Sequence, residues 1–286
     1  MNVPGETWSA AKRALAHVAA RSTGEPVDPA LRVTLNFHPD RLLQDGSLVL
    51  EAMVRDGTYR SQFETGTSNG GLTAHPGGDR WRWESRLFGA AYDHCPATER
   101  PKYGALNHRQ RAVGGSPRFG SAHFRLTGDT LTRTTFCYPD STFEPTHLAV
   151  ATRMALVAVA EADDPDLLDD YIEAHVHGPV AFDRDVEALV LDPSHRDTRT
   201  EQAARRLGCP VEWHTGYRLT VHELQQHPGY RGLDSIELDT SLARDGHLDP
   251  ALLGGAARTG HHDDQALKRV WHLLARYGAP PTHQQR

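Results

Sequence analysis

The stretch Tyr171-Ile172-Glu173-Ala174-His175-Val176-His177-Gly178 constrains this chain most. Side chains along a strand point to opposite faces at every second residue. Ile172, Ala174 and Val176 therefore share an apolar face, and Tyr171, Glu173, His175 and His177 share a polar one. The alternation predicts a strand whose two sides meet unlike surroundings. A carboxylate and two imidazoles do acid–base, electrostatic or metal chemistry near neutral pH. Two readings follow: the polar face lines a functional cleft, or it is a solvent-exposed face that happens to carry histidines.

The 286 residues suffice for one large domain or two small ones, with a sizeable core. Hydrophobic content is 38%, charged content 24% and mean hydropathy −0.56, the profile of a polar globular protein. A net charge of −6 gives no global attraction to nucleic acid or anionic membrane. Cys95, Cys137 and Cys209 lie far apart, and an odd count without a CxxC motif fits a reducing cytoplasm. Residues 1–6 show no basic region followed by an apolar run, so no signal peptide is expected. No apolar run approaches the ~18 residues of a membrane span.

Periodicity predicts helices over 6–21, 47–55 with Ser47 as N-cap, 80–95, 145–160 and 200–207. Strands are expected at 31–37, 103–107, 119–127, 131–138, 171–177 and 182–191. The 119–127 and 131–138 strands would form a hairpin around Gly128-Asp129. The last two strands would form another around Gly178-Pro179. His261-His262-Asp263-Asp264 reads as a helix start, and residues 280–286 as a disordered tail. The glycine-rich segment 57–79 is long for a structureless connection, and such loops tend to be functional or mobile. Strands and helices are interspersed without a βαβ rhythm or a GxGxxG turn. The organisation expected is an N-terminal helix over 1–28, an α+β domain over 29–240, and a helical appendage with a polar tail over 241–286.

Three further constellations carry chemistry. In Asn36-Phe37-His38-Pro39-Asp40-Arg41 a histidine stands at a strand end, either entering a cleft or capping a turn, and Pro39 fixes the exit. In Tyr59–Gly71, glycines let backbone approach a ligand, and hydroxyls, amides and a guanidinium suit a ribose or phosphate. The alternative is a surface Ω-loop. Residues 100–125 carry Arg100, Lys102, Arg109, Arg111, Arg118 and Arg125 and no acidic residue. That is either a patch for a pyrophosphate or nucleic-acid backbone, or a face paired with the acidic loop 161–170. His175 and His177 with Glu173 or His38 could also supply three ligands to a metal with an open position. There is no GxSxG elbow.

The motifs Leu35–Arg41, Tyr59–Gly71, Arg100–Asn107, Phe119-Gly120-Ser121 and Tyr171–Gly178 resemble a bacterial family described only as a domain of unknown function, over roughly residues 29–225. The order of elements also resembles, more distantly, the ADP-ribosyltransferase fold of the His-Tyr-Glu type. That resemblance implies an α+β domain with split β-sheets flanked by helices, using NAD as substrate. His38 would contact the adenosine ribose, Tyr103 would stack on nicotinamide, and Glu173 would bind the nicotinamide ribose and stabilise an oxocarbenium-like state. Arg60, Ser61, Thr65, Ser68, Asn69, Gly70, Asn107, His175 and His177 would complete the NAD contacts, with no resident metal. Tyr92 and Tyr138 compete with Tyr103 for the aromatic role, and the 57–79 loop has no counterpart. The acceptor is open between protein, nucleic acid, small molecule and water.

The leading expectation is thus an NAD-dependent, ADP-ribosyltransferase-like enzyme. Alternatives are a metal-dependent hydrolase on the Glu173/His175/His177 strand, or a non-catalytic nucleotide or nucleic-acid binding module using residues 100–125. In the enzyme reading, Glu173, His38 and Tyr103 converge on one cleft. Glu173 faces an open space, so Glu173→Gln leaves folding unchanged.

Overall fold

The computed structural model describes residues 9–43, 45–66, 74–230 and 232–279. Ten strands lie among them: β1 Val33–Phe37, β2 Lys102–Leu106, β3 Ala122–Leu126, β4 Thr134–Tyr138, β5 His147–Val150, β6 Ile172–Val176, β7 Val186–Leu191, β8 Val211–Trp213, β9 Leu219–Thr220 and β10 His247–Leu248. The helices are α1 Ala10–Ala19, α2 Val49–Asp56, α3 Gln62–Thr65, α4 Asp79–Leu87, α5 Leu156–Ala162, α6 Arg199–Ala204, α7 Val221–Gln225, α8 Leu233–Leu242, α9 Pro250–Thr259 and α10 Asp264–Tyr277. No helix among the described residues is long and apolar enough to cross a membrane.

Strands β1–β8 form one sheet in the order β5-β4-β6-β2-β1-β3-β7-β8, antiparallel except for the parallel β7–β8 edge. The split β-sheets that the resemblance implies are here joined into this one sheet. The joint is narrow: β1 and β2 pair only at Val33↔Leu106 and Thr34↔Ala105. Gly104 stands at the point where pairing stops. A Cβ there would lie 2.4 Å from the Thr34 carbonyl oxygen and 2.5 Å from Leu35 Cδ2, so only glycine lets the strands approach this closely.

Both predicted hairpins are absent. β3 pairs with β1 and β7, whereas β4 pairs with β5 and β6, because residues 128–133 wind into a 3₁₀ turn that carries the chain across the sheet. β6 pairs with β2 and β4, so it and β7 are not neighbours. The helix expected over 145–160 is β5 followed by α5. A short apolar run such as Leu148-Ala149-Val150 fits either state, and its pairing with β4 decides it.

One face of the sheet carries the main core, with Val33, Leu35, Phe37, Leu106, Phe124, Ile172, Ala174 and Leu189 among its buried residues. On the other face α1 and α4 cover β4 and β5, through Ala14, Val18, Trp83, Leu87, Phe88 and Tyr92. Ser9 caps α1 and accepts from the Lys12 N–H. A further core joins α7–α10 to β9 and β10 around Leu219, Leu253 and Trp271. Asp263 caps α10, accepting from the Ala266 N–H. The Trp271 indole N–H of that helix is shared between the Pro117 and Arg118 carbonyls at 3.2 and 3.0 Å, so the C-terminal helices reach back to the sheet. Helix α8 spans residue 240, where a domain boundary was expected.

Candidate functional site

Strand β6 alternates as its sequence predicts, but its polar face is not solvent-exposed: all five of its residues are buried, and Glu173 lines a small cavity. The cover is α4. Arg80, Trp83, Glu84 and Leu87 are its buried residues, at the i, i+3, i+4, i+7 spacing of a single stripe. The Trp83 ring lies 5.2 Å from His175, and Phe88 lies 5.5 Å from His175 and 5.2 Å from His177. Tyr92 stacks on His177 at 5.8 Å.

Glu173 is fixed at both oxygens. The Ser141 N–H and hydroxyl donate to Oε2 at 3.1 and 3.0 Å, and His175 Nε2 meets Oε1 at 3.0 Å. Ser141 is placed by its neighbours: Asp140 accepts from the Thr142 N–H, and the Tyr171 hydroxyl donates to Asp140. Burial pushes the Glu173 carboxyl up. His175, Arg80 and the Ser141 N–H outweigh it and hold the carboxyl below its ordinary range. Arg80 is itself buried, with its guanidinium carbon 4.3 Å from the Tyr103 ring centre.

Tyr103 lies opposite His175 in the β2–β6 ladder and donates to Glu84 Oε1 at 2.7 Å. Glu84 also accepts from Arg100, and both partners are buried. Burial, then the neighbouring Glu84, raises the Tyr103 hydroxyl well above the ordinary phenol range, so it stays a donor.

The ladder row Thr34↔Ala105↔Glu173 places β1, β2 and β6 side by side, with Glu173 on the same face as Thr34. Two adjoining cavities open on this part of the sheet. A cavity of about 560 Å³ has His38, Arg41, Met53, Tyr59, Gln62 and Tyr103 among its walls. A smaller one of about 120 Å³ is lined by Asn36, Arg80, Tyr103, Ser141, Glu173 and Lys268 among others. Tyr59, Gln62 and Tyr103 belong to both. His38 packs edge-on against Trp271 at 4.9 Å, and burial pushes its pKa down to about 4, leaving a neutral imidazole at pH 7.

The family model described as "Protein of unknown function (DUF3626)" matches residues 32–160 and 146–277. The chain belongs to this family. No curated protein matches it.

In this family member several residues expected to touch NAD are otherwise engaged. Ser61 is the N-cap of α3, accepting from the Glu64 N–H and donating to the Ala97 carbonyl at 2.8 Å, and it is buried. Asn107 braces a turn through the Arg111 N–H and carbonyl and lines neither cavity. His175 and His177 lie behind Glu173 and line neither cavity. Arg60 and Thr65 do line the larger one, with Arg60 held by Asp56 at 2.8 Å. Ser68, Asn69 and Gly70 lie outside the described residues.

The basic run 100–125 is paired internally. Lys102 donates to the Thr98 and Arg100 carbonyls. Arg109 and Arg111 pair with Asp170, Arg118 with Asp169, and Arg125 with Glu187 and Glu212. The acidic loop is thus its main partner, and the positive patch is largely neutralised. The Glu173/His175/His177 metal triad is not assembled either, since His177 turns toward Tyr92 and Thr135. Among the described residues, the side chains grouped closely enough to hold a metal are Cys137, Glu173 and His175, all buried.

Sequence reasoning missed Arg80, Glu84 and Ser141. A signal for the first two was present. Arg80 and Glu84 are four apart on the same stripe as Trp83 and Leu87, and charges on an apolar stripe need a buried reason.

Proposed function

We propose that this protein is an NAD-using, ADP-ribosyltransferase-like enzyme that cleaves the nicotinamide glycosidic bond. The observation that carries the reading is that Glu173, Tyr103 and His38, far apart in sequence, line two adjoining cavities on one part of the sheet. The larger cavity has the size of a small-molecule site. In this reading the adenosine end sits toward the neutral His38, and the nicotinamide end toward Tyr103 and Glu173.

The C–N glycosidic bond breaks heterolytically. Its electron pair moves to the pyridinium nitrogen and neutralises it, so the leaving group needs no proton. The ribose carbon becomes an oxocarbenium-like centre, and a fixed carboxylate beside it stabilises the charge. An acceptor nucleophile then bonds to that carbon and loses its proton.

The test is incubation of the purified protein with NAD, following nicotinamide release with and without a chelator, beside Glu173→Gln. Release that survives chelation and is lost in the variant supports the reading. A second reading, a metal-dependent hydrolase, is favoured by the Cys137–Glu173–His175 grouping, whose ligand atoms lie within 4.8 Å of one another. Activity abolished by chelator and restored by zinc would select it.

A further inference from the structure

Behind Glu173 runs an unbroken line of buried polar contacts. His175 Nε2 lies 3.0 Å from Glu173 Oε1. His175 Nδ1 lies 3.1 Å from Thr135 Oγ1. Thr135 Oγ1 lies 3.0 Å from His177 Nε2, and His177 Nδ1 lies 2.7 Å from the Tyr92 hydroxyl. Thr135 stands opposite His175 in the β4–β6 ladder, which sets its hydroxyl between the two imidazoles. All five residues are buried.

An ionised Glu173 and a singly protonated His175 ring together set the direction of every bond. An ionised carboxylate only accepts, so His175 Nε2 must carry the proton. In the proposed arrangement that ring carries no second proton and accepts at Nδ1, so the Thr135 hydroxyl donates to it. That spends the single Thr135 proton, so Thr135 accepts from the Nε2–H of His177. His177 Nδ1 then accepts from Tyr92. No donor faces a donor at any step. Burial above all holds His177 well below the ordinary histidine range. Burial likewise raises the Tyr92 phenol, which keeps its proton.

The geometry points to a positioning role: Tyr92, His177, Thr135 and His175 form one hydrogen-bonded chain that fixes the orientation of the Glu173 carboxylate. This rests on the reading in which Glu173 is catalytic. Ser141 secures the other carboxylate oxygen, so the chain and Ser141 together hold the plane of the carboxylate in the lining of the smaller cavity. Thr135 is its centre. It touches no part of either cavity, yet two of the four bonds pass through its oxygen.

The test uses the full chain with ¹⁵N-labelled histidine, together with nicotinamide-release kinetics. Long-range ¹H–¹⁵N spectra of the wild type at pH 7 should show His175 and His177 both as neutral Nε2–H tautomers. Thr135→Val keeps the shape and removes both central bonds. It should change both ring signals and lower kcat about tenfold or more, with the KM for NAD within about twofold. Thr135→Ser should restore both readouts. A ring found as the Nδ1–H tautomer or as imidazolium, or a Thr135→Val protein with wild-type kcat, would overturn the chain. Should Thr135→Val not fold, Tyr92→Phe removes only the terminal donor, and unchanged His177 signals in it overturn the chain equally. If the wild type releases no nicotinamide, the NAD reading falls, and the spectra still decide whether the chain exists.

Discussion

The Tyr103 hydroxyl donates to Glu84 at 2.7 Å, and the same carboxylate takes the buried Arg100 guanidinium on its other oxygen. An aromatic wall of both cavities is thus held by an ion pair beneath helix α4. The two halves of this arrangement have unequal weight. Tyr103→Phe removes one neutral donor and should cost about 1 kcal/mol of stability. Glu84→Leu strands the Arg100 cation in the interior and should cost about 3–5 kcal/mol. Urea unfolding of the two variants checks the ratio, and equal costs would mean that Arg100 finds another partner.

Glu173→Gln should lower nicotinamide release by roughly 10²–10³-fold, the typical loss on removing one electrostatic stabiliser. It should also destabilise the fold by about 1–3 kcal/mol. The expectation of an unchanged fold assumed an open space around Glu173, whereas the residue is buried and hydrogen-bonded. The carboxylate accepts from Ser141 and His175, and a glutamine NH₂ cannot accept. Chemical denaturation read beside the activity assay separates the two effects.

Asp239 on α8 is buried, neither of its carboxylate oxygens has a partner among the described residues, and burial pushes its pKa up to about 7. As pH rises from the ordinary value of 3.8, the unfolded chain gives up this proton while the folded chain keeps it. Stability therefore falls between about pH 4 and 7 and levels off above. Asp239→Asn removes the titration. Thermal melts should show little gain for the variant at pH 4 and a clear gain at pH 8. A gain that is the same at both values would place the effect elsewhere.

Gly104→Ala should destabilise the protein by about 1–3 kcal/mol, because its Cβ would meet the Thr34 carbonyl with no room to yield. Gly229 has open space at its Cβ and, like Gly104, no positive φ, so Gly229→Ala reports the backbone change without crowding. The difference between the two variants reads the crowding at the sheet joint.

What could be read from the chain itself follows a physical divide. Local patterns were legible. The alternation through 171–177 identified β6, Leu31–Phe37 identified β1, and Asp263 capped its helix. Partner choice was not, because pairing is decided by burial over long sequence separations. The Gly128-Asp129 and Gly178-Pro179 segments read as hairpin turns from composition, yet each leads to a strand elsewhere in the sheet. The site divides in the same way. Glu173 and His38 stood out as chemistry on a strand or at its end, whereas Tyr103 entered only through the resemblance to the His-Tyr-Glu fold. Arg80 and Glu84 did not stand out, because a short helix with charges reads as an exposed one until the Trp83 stripe is seen to face the sheet. The basic run misled for the converse reason: its acidic partners are up to 87 residues away, as with Arg125 and Glu212.

The sheet is two four-stranded ladders stitched by two residue pairs, against four pairs in β1–β3 and five in β2–β6. The walls of the smaller cavity come from both ladders, Asn36 from one and Tyr103 and Glu173 from the other. A molecule seated there spans the stitch and adds a third bridge between the halves. Affinity and cohesion of the sheet then become one quantity, linked by mass action: whatever tightens the ligand also raises the melting temperature, and whatever loosens the stitch weakens binding without touching a single residue that meets the ligand.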